Sequence, residues 1–247
     1  VIRLRRLLII FLGPQGSGKT TQAILLKRKL ETKGYRAIIT EGIYHTVFLR
    51  AWHKFLIFLT KRRIRYRFRN EGLIEEFAEP SLLAHMFKVD FIFNLFSAIS
   101  SFLKISLLLL FYPIVIEHEG YIYNHLAYLL FIYRKLFATG YILRKYKVLL
   151  KMLPRRRLII LLDISNLKPS DLYVRYRKRG SLTEPWHYIK YQAAVYKTFT
   201  LIEPQKVILD ASMDKNMLSD TTYKLVLQIY ESLGITYRTH KGSNWVH

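Results

Sequence analysis

Apolar runs at positions 7–12, 37–40, 114–117, 158–163 and 207–210 punctuate the chain. The first, Leu7-Leu8-Ile9-Ile10-Phe11-Leu12, contains no polar position at all. A strand with one wet face alternates apolar and polar residues, so an unbroken run means that both faces are covered. That is the mark of a central strand in a parallel sheet. Between the runs lie longer segments whose apolar residues recur at helical spacing: 20–33, 44–60, 72–88, 91–110, 122–153 with a break near Gly140, 186–202 and 218–233. Lys33 in the last turn and Gly34 just beyond it close the first of these. Strands alternating with helices predict βαβ units, hence an α/β fold with a parallel, roughly five-stranded sheet covered on both faces. The runs end in polar residues, which places a ligand crevice at the C-terminal ends of the strands. With no internal repeat and no Pro/Ser-rich linker, the chain reads as a single domain over 1–247.

The stretch from Phe91 to Ile116 carries one charge, Lys104, and is long enough to cross a bilayer. Asn94, Ser97, Ser100, Ser101 and Ser106 dilute it, and Pro113 stands near its end. A core helix (the apolar helical segment 91–112) followed by a buried strand accounts for the same residues. Integral membrane insertion is therefore not expected; peripheral membrane contact is the alternative, and the helix could also serve a homodimer interface. The N-terminal Val1-Ile2-Arg3-Leu4-Arg5-Arg6 has the charge of a signal peptide, but the apolar run after it is needed as a central strand. There is no cysteine, which removes disulfides, thiolate metal sites and cysteine nucleophiles. The expected location is cytoplasmic.

Charge changes the picture more. The chain holds 40 Lys+Arg against 17 Asp+Glu, a formal +23 that favours anionic partners such as nucleotides, nucleic acid or an anionic membrane surface. Clusters occur at 61–69, where bases interleave with aromatics, at Arg155-Arg156-Arg157 and at Arg175-Tyr176-Arg177-Lys178-Arg179. Solvated basic faces explain the first cluster most simply, and nucleic-acid contact is the alternative.

The chemistry enters directly after the first strand. Gly13-Pro14-Gln15-Gly16-Ser17-Gly18-Lys19-Thr20 spells GxxxxGK[ST] between a buried strand and a helix, the context in which the motif means a phosphate-binding P-loop. Converging backbone N–H groups need glycines that accept positive φ and admit a close ligand. The following helix points its N-terminal dipole at the same anion. Gly13, Gln15, Gly16, Ser17, Gly18, Lys19, Thr20 and Thr21 are thus expected to hold ATP, with Lys19 on the β- and γ-phosphates and the Thr20 hydroxyl on Mg²⁺. The fold so predicted is the three-layer αβα P-loop NTPase fold.

From Gly13 to Tyr35, GPQGSGKTTQAILLKRKLETKGY resembles nucleoside monophosphate kinases, and thymidylate kinases in particular, Gln22 included. Three later segments follow in the order that family has. Val115 to Tyr121, continuing to Leu126-Ala127-Tyr128, resembles the strand with the family's Asp-Arg-Tyr motif. Leu161-Leu162-Asp163-Ile164 through Gly180 resembles the next strand and the Arg-rich lid, here about 172–187. Val207 to Ser212 resembles the last strand, whose loop packs on adenine, so that Ala211 joins the ATP site. The acceptor side departs from the family. Asp-Arg-Tyr becomes Glu119-Gly120-Tyr121, Thr-Arg-Glu-Pro-Gly shrinks to Thr40-Glu41-Gly42, and Phe91 stands where an arginine is expected; Gln15 replaces an acidic residue. The resemblance implies acceptor contacts from Glu41, Tyr121 and His125.

A carboxylate at a strand end should hold the metal's water shell or orient the acceptor. Glu119, Glu117 and Asp163 compete; Glu119 is preferred because it matches the family's acidic position, with Glu117 the alternative. A lid should exclude water during transfer. Arg175 and Arg179 share one face of a helical turn and would supply transition-state charge. His118 reads as a loop residue. The expected activity is ATP-dependent phosphoryl transfer to a nucleoside monophosphate or related acceptor. The alternatives are a polynucleotide or RNA kinase, and a non-catalytic ATP-binding module contacting nucleic acid or membrane.

Overall fold

A computed structural model of the chain describes residues 6–41, 64–66, 75–77, 80–133, 139–177 and 186–232. Strand β1 (Leu7–Leu12) leads into helix α1 (Lys19–Thr32) and strand β2 (Ala37–Thr40). The short strands β3 (Ile64–Tyr66) and β4 (Glu75–Phe77) pair antiparallel, apart from the main sheet. Helix α2 (Pro80–Phe111), strand β5 (Ile114–Glu117), helix α3 (Tyr121–Ile132) and helix α4 (Thr139–Met152) follow. The chain then forms β6 (Arg157–Asp163), α5 (Pro169–Arg177), α6 (Trp186–Ile202), β7 (Lys206–Asp210) and α7 (Lys215–Ser232).

The main sheet has five strands in the order β2-β5-β1-β6-β7, and every pairing in it is parallel. β1 lies at the centre, hydrogen-bonded to β5 on one side and β6 on the other, and all six of its residues are buried. Side chains alternate across a strand, so β1 feeds two cores. Leu8, Ile10 and Leu12 pack with Ala98 and Ile105 of α2, with Leu126 of α3 and with Tyr146 of α4. Leu7, Ile9 and Phe11 pack with Leu26 of α1 and Val226 of α7. Helices therefore cover both faces, as the unbroken apolar runs require.

The strands stand where the runs place them, with β6 and β7 each one residue longer at the start. Two helical expectations are corrected. The segments 72–88 and 91–110 do not form separate helices. Residues 75–77 are strand, and a single helix runs from Pro80 to Phe111. Proline is suited to a first helical turn, where its missing N–H costs nothing, and Lys88-Val89-Asp90-Phe91 contains no breaker to interrupt the helix. The break near Gly140 falls earlier, because α3 ends at Ile132 and Gly140 lies in the first turn of α4. The expected helix over 44–60 lies outside the described residues.

Candidate phosphate-binding site

The loop between β1 and α1 is built on three glycines with positive φ: Gly13 at 146°, Gly16 at 79° and Gly18 at 99°. A Cβ on Gly13 would sit 2.6 Å from Ser17 Oγ and 3.0 Å from the Leu162 carbonyl, so the end of β1 has no room for a side chain. At Gly18 nothing lies within 4 Å of such a Cβ; the backbone conformation alone selects glycine. The turn is closed by Ser17 N–H donating to the Pro14 carbonyl at 3.2 Å. Lys19 folds back over it, its Nζ donating to the carbonyls of Gly13 at 2.6 Å and Pro14 at 3.0 Å. The buried Ser17 hydroxyl has no hydrogen-bond partner. A turn built on positive-φ glycines, an ammonium folded across it, an unpaired hydroxyl and a helix N-terminus fit a phosphate group.

Residues far apart in sequence close around this loop. Arg175, on α5, donates to the Gly16 carbonyl at 3.3 Å and to the Ala211 carbonyl at 3.3 and 3.4 Å. Ala211 follows β7, which is pinned to β6 by Ala211 N–H donating to the Asp163 carbonyl at 2.8 Å. Gln22, buried on α1, donates to the Lys215 carbonyl at 3.2 Å and so fixes the start of α7 beside the loop. Together Gly16, Ser17, Gly18, Thr21, Arg175 and Ala211 line a cleft of about 510 Å³ that extends to Met213 and Leu218. Gln15 is exposed at the loop's tip. Arg175 is thus brought to the loop, while Arg179 lies outside the described residues, as do all of residues 178–185 of the lid segment.

On the other side of the loop stands a residue that sequence reasoning passed over. His118, just beyond β5, is buried, and its Nδ1 lies 3.3 Å from Thr20 Oγ1 and 3.4 Å from Glu119 Oε1. Its Nε2 is 3.8 Å from Glu41 Oε1. Burial works against the charged imidazole, but the hydrogen bond and field of Glu119, with Glu117 and Glu41 behind it, outweigh that and leave its pKa raised. Glu117 is fully buried, and its Oε1 accepts the Glu119 N–H at 2.8 Å. Glu119 is part-exposed and shares the His118 Nδ1 contact with Thr20. Asp163 is engaged elsewhere, accepting from the N–H and hydroxyl of Ser165 and lying 3.4 Å from Lys197 Nζ. The alternation of Glu117-His118-Glu119 hinted at a site, but burial of His118 depends on the approach of α1, ninety-eight positions away.

The remaining acceptor candidates are dispersed. Glu41 is exposed beside His118, and its carbonyl accepts from Lys104 Nζ at 2.9 Å. Tyr121 opens α3, and its side chain lies outside the described part of the structure. His125 is buried between α3 and α2, its Nδ1 3.2 Å from Asn94 Oδ1 and its Nε2 3.5 Å from Ser97 Oγ. Gly120, where the resemblance leads one to expect arginine, is buried at φ 82° with the Tyr196 hydroxyl 3.4 Å from where a Cβ would lie. Phe91, at the other missing arginine, is a core residue packed edge-on against Tyr141 and Tyr146. Among the described residues no group of three or more His, Asp or Glu side chains could hold a metal ion by itself.

No protein-family model matches the chain, and no curated protein matches it. The chemistry of the site rests on its own residues.

Proposed function

We propose that the chain is an ATP-dependent phosphotransferase of the thymidylate kinase-like group, acting on a nucleoside monophosphate or a related phosphate-bearing acceptor. The observation that carries this reading is the cleft in which Gly16, Ser17 and Gly18 meet Arg175 and Ala211. The motif and the lid and adenine-loop resemblances single out these residues independently, and chance gives no reason for them to share one wall.

In this reading the loop amides and Lys19 bind the donor's β- and γ-phosphates, exchanging the carbonyl contacts of Lys19 for phosphate oxygens. Arg175, now donating to the Gly16 and Ala211 carbonyls, would follow charge onto the transferred group, where its planar fork matches phosphate oxygens. The Thr20 hydroxyl would hold Mg²⁺ with the donor's oxygens, and a magnesium site needs only one or two protein ligands. When bound, the ion supplies neutralisation of charge between the β- and γ-phosphates. The Thr20 hydroxyl and the Glu119 carboxylate converge on one ring nitrogen, Nδ1 of His118. An acceptor phosphate oxygen attacks the γ-phosphorus, the bond to the β–γ bridging oxygen breaks, and ADP leaves; no proton transfer is required. Glycine at 120 and core phenylalanine at 91 remove two cationic grips on a monophosphate, so the acceptor must be held by other groups than the resemblance implies.

The test is transfer of label from γ-labelled ATP to a panel of nucleoside monophosphates and oligonucleotides, with Lys19→Ala as control. Labelling of a mononucleotide, reduced at least about a hundredfold in the variant, is the expected result. If no panel member is labelled above the variant's background, the phosphotransferase reading is wrong. Labelling of oligonucleotides alone would move the acceptor to a polynucleotide end, which the formal charge of +23 favours.

A further inference from the structure

Helix α2 is apolar around most of its circumference, yet only part of it is covered. Phe91, Ala98, Ile105 and Leu109 are buried in the core. On the other side Ile92, Phe96, Leu103, Leu107, Leu110 and Phe111 are 49–64% exposed. At 3.6 residues per turn the first five fall within about 60° of one another, so they form one continuous stripe rather than scattered positions. Contiguous apolar surface of this kind marks an interaction site.

The charges around the stripe indicate what covers it. Lys88 and Lys104 fall on its two flanks; the Lys88 stem can lie along apolar surface with its ammonium at the edge, and the Lys104 ammonium stands at the opposite edge on the Glu41 carbonyl. At its C-terminal end Arg6 donates to the Leu110 carbonyl at 3.4 Å, and Arg36 lies 5.7 Å over the Tyr112 ring. An apolar stripe with a cationic rim, on a chain of formal charge +23, complements a surface that is apolar inside and anionic at its edge. A second copy would oppose this rim with an identical one, so like charges would meet across the contact.

The helix has the length and hydropathy to cross a bilayer, but it is not free to do so. Its inner side is committed to the sheet's core, and Asn94 and Ser97 lie against His125 of α3. Only the outer stripe is available, which suits a helix lying in the interface plane rather than spanning it.

We propose that the outer face of α2 docks this protein peripherally onto an anionic lipid bilayer, with Phe96, Leu103 and Leu107 entering the headgroup–acyl boundary. The inference is independent of the phosphotransferase reading and does not use its site. The test is co-sedimentation of the full chain with vesicles of phosphatidylcholine alone or of phosphatidylcholine with phosphatidylserine. Binding to the phosphatidylserine vesicles should be at least about tenfold stronger, should fall as salt rises, and should be lost in F96S/L103S/L107S. A Phe96→Trp variant gives a second readout that does not depend on the triple variant folding. Its emission, after subtraction of the wild type's own tryptophan signal, should shift to the blue on adding phosphatidylserine vesicles. Failure of the wild-type chain to sediment with either vesicle, or an unshifted difference signal from the Phe96→Trp variant, overturns the proposal. So does light scattering that finds a dimer in free solution which the triple variant converts to monomer, because the stripe would then be a protein interface.

Discussion

At the scale of single residues, Gly13 and Gly18 separate two reasons for a glycine. Both have positive φ, but only at Gly13 would a Cβ collide, at 2.6 Å from Ser17 Oγ and 3.0 Å from a β6 carbonyl. Gly18→Ala should cost the backbone strain alone, about 1–2 kcal/mol. Gly13→Ala should cost at least about 1 kcal/mol more, because the carbonyl cannot swing away as a side chain can. Urea midpoints of the two variants measure the difference; equal values would mean that the loop relaxes around the added methyl. Asp163 offers a pH-dependent counterpart. Burial acts to raise its pKa, but the Ser165 hydroxyl and N–H, with Lys197, outweigh it and hold the carboxyl below the usual range. A depressed carboxylate contributes stability that is present above its unfolded pKa and lost as pH falls through the folded one. Stability should therefore decline more steeply below about pH 4 in the wild type than in Asp163→Asn. Parallel acid-unfolding profiles of the two would remove Asp163 from the account.

Between elements, the buried carboxylate of Glu203 joins three pieces of the fold. Glu203 follows α6 and accepts from Tyr123 of α3 at 2.6 Å and from Arg157 Nε, at the start of β6, at 2.9 Å. Burial and the neighbouring carboxylate both raise the phenol's pKa, so Tyr123 remains a donor at neutral pH. Tyr123→Phe removes one charge-assisted bond, about 1.5–3 kcal/mol. Arg157→Ala should cost more, about 3–5 kcal/mol, because it strands a buried charge. Reversal of that order in denaturant unfolding would mean that Glu203 takes up a proton or reaches water once the arginine is gone. This network was not legible in the sequence, where Tyr123, Arg157 and Glu203 carry no shared pattern. The strands of the main sheet were legible, because a parallel strand buried on both faces is written as an apolar run, as at 7–12 and 114–117. The helix at 186–202 was equally plain. Residues 75–77 misled because Glu75-Glu76-Phe77 gains its strand from a partner at 64–66 that no local periodicity reports. His118 was obscured for the same reason: its burial is a property of where α1 and β5 meet. The loop at 13–20 was readable since its geometry is local and needs glycine at fixed offsets.

For the molecule as a whole, a formal charge of +23 sets a background against which any site must be measured. Self-repulsion of that size destabilises the compact state, so salt that screens it should raise the melting temperature whatever the anion. Sulfate and phosphate also strengthen burial generally, and a rise in either alone would say nothing about the loop. The discriminating comparison is ATP with magnesium against chloride at matched ionic strength, in wild type and in Lys19→Ala. Ligand at a hundredfold excess over its dissociation constant contributes about 2.7 kcal/mol, about 5–10 °C for a chain of this size. Wild type should show that rise above the chloride baseline, and Lys19→Ala should keep the baseline response while losing the rise. The variant changes only one of forty basic residues, so general screening is almost unaltered. An equal response to ATP in both proteins would mean that the nucleotide binds the basic surface and not the loop. Loss of the rise only in the variant ties the nucleotide to the glycine turn that β1 and α1 hold at the centre of the sheet.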